Sequence, residues 1–242
     1  MLHYWWEDMV RFMRDASEYG TYNQELARRL APALNPQMRI CDAGCGLGYL
    51  SLALSPYVGQ VTSVEQNPDA VTVLRNNCDS RGITNIIPRC GTVQDVIPET
   101  PYDAMVFCFF GGIDEILETV RRQCRGKVFI ITRNYTTHRF SVGKHATGSY
   151  GYLTASRKLT ELNIPYTEEL FSLEFGQPLR NLEDARRFYE IYSKDEDKTV
   201  ITDEFLRSKV VDNDDANFPL YLPHRRNLAL LTFDTADLPE EV

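Results

Sequence analysis

No C-x-x-C pair occurs among the six cysteines of this 242-residue chain, and only four histidines are present. Zinc-type clusters need closely spaced Cys and His ligands, so no metal is expected. The cysteines, at 41, 45, 78, 90, 108 and 124, are scattered through the first half and read as reduced, small hydrophobic residues. No apolar run reaches the roughly 20 residues that cross a bilayer, so a membrane partner is not expected. The opening stretch MLHYWWEDMVRFMRD carries charges every few residues and no apolar leader core, so it does not read as a secretory signal and a cytoplasmic location is expected. Basic residues are outnumbered, 26 against 34 acids, for a formal net charge of −8. Polyanion binding needs clustered Lys and Arg. The pairs Arg28-Arg29, Arg121-Arg122 and Arg186-Arg187 instead read as solvated helix faces, which disfavours nucleic acid as a partner. A Pro/Gly/Ser-rich linker and internal repeats are also missing, so residues 1–242 read as one domain.

What is present is alternation. Residues 4–15 place Trp5, Met9, Phe12 and Met13 on one helical stripe, and a second helix spans 23–34. Strands are then predicted at 39–43, 60–65, 86–90, 103–109 and 127–132, with helices at 49–57, 68–81 and 113–125 between them. The helix over 68–81 starts at a proline and stops at Gly82. Strands that are apolar without alternation are covered on both faces, as in a parallel sheet flanked by helices. The fold class is therefore α/β, doubly wound. Beyond residue 134 the predicted elements are a helix at 149–163, strands at 168–175 and 227–233, and between them helices at 182–192 and 203–210. Residues 177–220 read as a helical insert that shapes the substrate pocket or a homodimer contact. Residues 1–35 read as an N-terminal helical lid and 36–135 as a cofactor-binding core.

The stretch ICDAGCGLGYL, residues 40–50, carries the chemistry. A strand ends at Asp42, and Gly44, Gly46 and Gly48 form a turn at the carboxyl edge of the sheet, where open α/β sheets bind ligands. The spacing is G-x-G-x-G, unlike the G-x-G-x-x-G of nicotinamide and flavin enzymes, which opposes an oxidoreductase. Asp42 ahead of the turn suits a ligand with an ammonium group and no phosphates. Glu65 ends the second strand, where a carboxylate can accept hydrogen bonds from both ribose hydroxyls. An adenine would then lie beyond the third strand, near residues 91–95.

Over residues 20–135 the chain resembles the class I S-adenosylmethionine-dependent methyltransferase superfamily. The resemblance rests on Asp42-Ala43-Gly44-Cys45-Gly46-Leu47-Gly48, on Val64-Glu65-Gln66-Asn67 and on Pro101-Tyr102-Asp103-Ala104-Met105-Val106. It implies a Rossmann-like, mostly parallel seven-stranded sheet and S-adenosyl-L-methionine as cofactor. It also implies that the glycine loop, Cys45 included, holds the methionine part and that Glu65 and Gln66 hold the ribose. Thr92 and Val93 would then meet the adenine, and Cys108 would lie beside the amino group. Two departures stand out. Thr92 replaces the acid common after the third strand, leaving Asp95 as a substitute, and Phe107-Cys108-Phe109-Phe110-Gly111-Gly112 replaces an Asn/Asp-Pro-Pro-Tyr motif.

Methyl transfer needs alignment and a dry pocket more than it needs acid–base groups, so no catalytic residue is assigned. Tyr135, His138 and His145 after the fifth strand are the candidates, with Asn134 and Lys144 beside them and His3 and His224 weaker. Trp5, Trp6, Tyr19 and Tyr22 are candidates to cover the cofactor, Tyr22 nearest. Phe188, Tyr189, Tyr192 and Phe205 read as core of the insert. The expected function is methyl transfer to an O, N, S or C nucleophile on a small molecule. The alternative is a non-catalytic S-adenosylmethionine-binding sensor or assembly protein.

Overall fold

A computed structural model describes residues 7–135, 140, 142, 151–193 and 198–239. The first helices are α1 (Glu7–Tyr19) and α2 (Tyr22–Leu30), followed by β1 (Arg39–Ala43), α3 (Tyr49–Leu54), β2 (Gln60–Glu65) and α4 (Pro68–Arg81). Then come β3 (Ile86–Cys90), β4 (Tyr102–Cys108), α5 (Ile113–Gln123), β5 (Cys124–Arg133), α6 (Tyr152–Glu161) and β6 (Tyr166–Glu174). The chain closes with β7 (Gln177–Leu179), α7 (Leu182–Tyr192), α8 (Asp203–Arg207), β8 (Val211–Asp212), β9 (Leu220–Leu222) and β10 (Arg225–Asp234). No helix among the described residues is long and apolar enough to cross a membrane.

Seven strands form one sheet in the order β3-β2-β1-β4-β5-β10-β6. The first five run parallel, and β10 inserts antiparallel between β5 and β6. Successive side chains of a strand point to opposite faces, and the core divides accordingly. Ile40, Ala104, Val106, Phe129 and Ile131 join the layer under α2 and α3. Cys41, Met105, Phe107, Val128 and Ile130 join the layer under α5 and α6. This is the doubly wound α/β fold anticipated above. The order reverses between β1 and β4, so the carboxyl ends of β1, β2 and β4 open onto one crevice.

Local signals set the element ends. Asn67 caps α4, its side-chain oxygen accepting from the Asp69 and Ala70 amides, Pro68 opens the helix, and Gly82 closes it at φ 64°. Strand β5 starts at Cys124, earlier than expected, because Cys124 already pairs with Tyr102 across a register shift. The predicted helix over 113–125 is shortened to match.

Between β6 and β10 lie α7, on the predicted residues, and α8, which ends at Arg207 rather than 210, together with a three-stranded antiparallel sheet, β7-β9-β8, that periodicity does not reveal and that runs past the expected end of the insert at 220. Its aromatic residues Phe188 and Tyr189 are core, packed with Leu179, Leu206 and Leu222. Met9 and Phe12 of α1 join that same cluster, so α1 lies against the insert, where Arg11–Asp184, Arg187–Asp8 and Arg180–Asp15 ion pairs of 2.9, 2.7 and 2.8 Å tie the two together. Trp5 and Trp6 lie outside the described residues. Tyr19 faces the insert, its hydroxyl donating to Asn213 at 2.9 Å.

Candidate functional site

The turn after β1 is built from backbone that side chains would obstruct. At Gly44 φ is 68°, and an added Cβ would sit 2.1 Å from the Phe110 ring. At Gly48 φ is 79° and the same atom would strike Leu74 of α4 at 2.3 Å. The first glycine thus lets the β4 loop close over the turn, and the third lets α4 pack beneath it. The Cys45 amide donates to the Val64 carbonyl at 3.0 Å, fastening the turn to β2.

Glu65 completes that fastening. One carboxylate oxygen accepts from the Gly46 amide at 3.1 Å and the other from the Asn67 amide at 2.9 Å. Two backbone donors fix the carboxylate plane at the strand end and leave lone pairs for further donors. Asp42 is buried, 1% exposed, and accepts from the Ser51 hydroxyl at 2.5 Å, which in turn accepts from Ser63 at 2.8 Å. Burial pushes the Asp42 carboxyl up to about 6; the Ser51 bond opposes this and the nearby Glu65 charge adds to it.

These groups open onto a cavity of about 510 Å³, within the range of small-molecule sites. Its walls bring together every cofactor-site residue anticipated from sequence: Tyr22 from α2, Asp42 at the end of β1, and Gly44, Cys45, Gly46 and Gly48 from the turn. Glu65 and Gln66 follow from the β2 end, Thr92 and Val93 from the β3 loop, and Cys108 from the β4 end. Asp95 is not in the wall. It is engaged by the Thr92 hydroxyl at 2.6 Å, while Gln94 lines the cavity and donates to Glu115 at 2.6 Å. The β4 loop supplies Phe109, 44% exposed and held at φ 55°, a left-handed conformation rare for a bulky residue.

Sequence reasoning missed Arg226 and Phe175, which reach the wall from the start of β10 and the turn after β6. Only the antiparallel insertion of β10 brings them there, and no local pattern announces it. The Arg226 guanidinium lies 4.3 Å from the Phe175 ring centroid, 5.6 Å from Tyr22 and 5.9 Å from Phe109. Of the catalytic candidates, His138 and His145 lie outside the described residues, as do His3 and Lys144. Tyr135 is not in the wall, although it is close enough to Tyr22 to raise that phenol further above the ordinary tyrosine range after burial has already done so. His224 is buried against Phe140. The six cysteines are free, and burial pushes the Cys41, Cys45 and Cys108 thiols up.

The profile of a family described as methyltransferase domain matches residues 34–166, more than half of the chain. An uncharacterised RNA methyltransferase of Thermosynechococcus vestitus is 32% identical over 111 residues, 43% of this chain and 24% of its own. A probable cobalt-precorrin-6B C(15)-methyltransferase (decarboxylating) of Methanococcus maripaludis is 26% identical over 102 residues, 41% of this chain and 55% of its own. The chain thus spans less than two thirds of the length of these curated relatives. Among solved structures, the YcgJ protein of Bacillus subtilis shares the fold at TM-score 0.56 and 15% identity, over 88% of this chain and 98% of its own.

One expectation is overturned. A negative net charge does not disfavour nucleic acid here, because further relatives also carry RNA or tRNA methyltransferase names. Net charge is a whole-chain sum, whereas phosphate contacts depend on the local field at the binding surface. Acceptors named for the relatives include both RNA and a precorrin. With its parallel sheet, glycine turn and acidic strand end in the matched segment, the chain belongs to the methyltransferase-domain family.

Proposed function

We propose that this chain transfers a methyl group from S-adenosyl-L-methionine to a nucleophile seated over the end of β4. The observation that carries this is the pairing of bare turn and carboxylate: Glu65 is fixed by the Gly46 and Asn67 amides in the wall of a cavity that the glycine turn also lines. The residues fit that cofactor. Glu65 would accept from ribose hydroxyls, Asp42 would face the ammonium group, and Thr92 and Val93 would border the adenine, all of them residues of the cavity wall. The acids in the wall would repel a pyrophosphate, whose usual partners are helix N-terminal amides and basic groups.

When bound, the cofactor supplies an activated methyl group on a sulfonium that departs as a neutral thioether. The chain's own task is then alignment and exclusion of water. Phe109, Phe110, Phe175 and Tyr22 give the cavity an apolar wall on the β4 side. Those side chains would hold the acceptor in line with the methyl group, and any proton on the acceptor would pass to solvent at the cavity mouth or to a neighbouring base.

Calorimetric titration with S-adenosylhomocysteine and assay of labelled methyl transfer to RNA and to a metabolite panel test the reading. Gly46→Val, which puts a β-branched side chain at φ 55° in the turn, should abolish binding and leave the circular dichroism spectrum intact. Unchanged affinity in that variant would remove the turn from the site. Binding without turnover on any acceptor would favour the non-catalytic alternative.

A further inference from the structure

The charged groups in the cavity wall are unequally matched. Each acid has a hydrogen-bond donor inside the protein: Ser51 for Asp42, the Gly46 and Asn67 amides for Glu65, and Gln94 for Glu115. Arg226 is the one cation in the wall among the described residues, and it has no acidic partner among them. Its Nε–H is buried and donates to no group among the described residues. Its surroundings are Phe175, Tyr22 and Phe109, whose faces attract a guanidinium, and the neutral Tyr22 hydroxyl, which also feels its charge; none of them neutralises it. The residue as a whole is half-buried, so its charge is only partly taken from water; a guanidinium fork left without a counter-charge there presents paired donors matched to carboxylate or phosphate oxygens.

Its place in the sheet separates it from the ribose end. Glu65 stands on β2, on one side of β1, whereas Arg226 stands on β10, beyond β4 and β5 on the other. Because β10 runs antiparallel, its first residues lie at the carboxyl edge of the parallel strands, with the Asn134 amide donating to the Asn227 carbonyl there. Arg226 shares a strand face with Leu228 and Leu230, on the layer that also holds Tyr22 and Phe175. It therefore overlooks the cavity from the β4–β5 side, beside Cys108 and Phe109, at the β4 end over which the acceptor is proposed to sit.

We propose that Arg226 is an anion-recognition residue for the methyl acceptor, so that the acceptor carries a carboxylate or phosphate group next to its methylated atom. The proposal rests on the cofactor assignment above. The same anion chemistry has a second source, the carboxylate of the cofactor's own methionine part, and the test is arranged to tell the two apart.

Wild type, Arg226→Gln and Arg226→Lys are titrated with S-adenosylhomocysteine and with 5′-methylthioadenosine, which lacks the amino acid. The S-adenosylhomocysteine-saturated proteins are then titrated with inorganic phosphate and with benzoate. Loss of a charge-assisted hydrogen bond is worth roughly tenfold or more in affinity. The expected result is that at least one anion binds saturated wild type in the millimolar range, roughly tenfold weaker in R226Q and intermediate in R226K, which keeps the charge but loses the fork. Affinity for S-adenosylhomocysteine should stay within roughly threefold of wild type in both variants. Three outcomes overturn the proposal: neither anion binds saturated wild type, anion binding is the same in R226Q and R226K as in wild type, or R226Q loses S-adenosylhomocysteine affinity while keeping that for methylthioadenosine. The last would give the guanidinium to the cofactor's carboxylate. Failure of wild type to bind S-adenosylhomocysteine at all would instead sink the cofactor assignment, and the acceptor role with it, even where an Arg226-dependent phosphate site persisted.

Discussion

Replacing Asp42 with asparagine should change stability in a way that depends on pH and is opposite to what loss of a hydrogen-bonded acid usually does. Asp42 is 1% exposed, and its carboxyl is raised from 3.8 to about 6, chiefly by burial. Between those two values the folded protein holds a proton that the unfolded chain has released, so wild type loses stability as pH climbs through that window. Roughly two units at about 1.4 kcal/mol each give about 3 kcal/mol, fully lost by pH 7. The asparagine in D42N would not titrate. Its carbonyl can still accept from Ser51, but its amide nitrogen becomes a buried donor, at a cost of about 1–3 kcal/mol that does not vary with pH. Urea unfolding of both proteins at pH 4, 5, 6 and 7 separates the two contributions. The stability of D42N relative to wild type should rise by about 2–2.5 kcal/mol from pH 4 to pH 7, since the unfolded carboxyl is already largely ionised at pH 4, and stay level above it. The carboxyls of Asp8 and Asp184 are lowered by their arginine partners, but they are common to both proteins and cancel in the difference. A flat difference across the window would refute the assignment of a strained, desolvated charge at this position. A gain in stability accompanied by weaker S-adenosylhomocysteine binding would mark Asp42 as a residue kept for the ligand at the expense of the fold.

A ligand ammonium beside Asp42 should favour its ionised form, so S-adenosylhomocysteine binding at pH 6 should release protons; calorimetric enthalpies would then vary with the ionisation heat of the buffer in wild type and much less in D42N. Glu65→Ala removes the acceptor of the Gly46 amide along with the ribose contacts, and should weaken S-adenosylhomocysteine binding by roughly 1.5–3 kcal/mol; a loss of only a few tenths would place the ribose elsewhere. Gly44→Ala should destabilise by about 2–4 kcal/mol, because the clash of the new methyl with the Phe110 ring adds to the cost of a left-handed backbone at φ 68°. Gly82→Ala, at φ 64° with open space around it, should cost only about 1 kcal/mol in urea melts. Equal losses at the two sites would show that the Phe110 contact does not matter.

The parts of the fold readable in advance are those where local chemistry and tertiary pairing agree. Strands β1, β2 and β3 and helices α4 and α7 fall on the predicted residues, because apolar runs are bounded by caps such as Asn67 and Asn181 or by a glycine. Where pairing decides, prediction drifts. The β5 start is set by a partner on β4, and β7, β8 and β9 are two or three residues long, too short to display a period. The same division holds at the cavity. Residues next to the turn and the β2 and β3 ends are placed by short-range connections, but Arg226 arrives through a strand that enters the sheet out of sequence order. Gly48 illustrates a subtler gap: its bare backbone is demanded by Leu74 of α4, a packing requirement indistinguishable in sequence from a ligand's.

Helix α1 and the insert are far apart along the chain, yet Phe12 stacks edge-on against Phe188 at 5.1 Å and the two segments share three ion pairs. Neither could be traded between homologues alone. A transplant of the insert without α1 would uncover the side of Phe188 that Phe12 covers, and removal of α1 would strip Met13 and Ser17 from the cavity wall as well. Exchanging this insert by recombination would therefore mean moving two remote stretches of gene as one cassette, with the sheet between them left untouched.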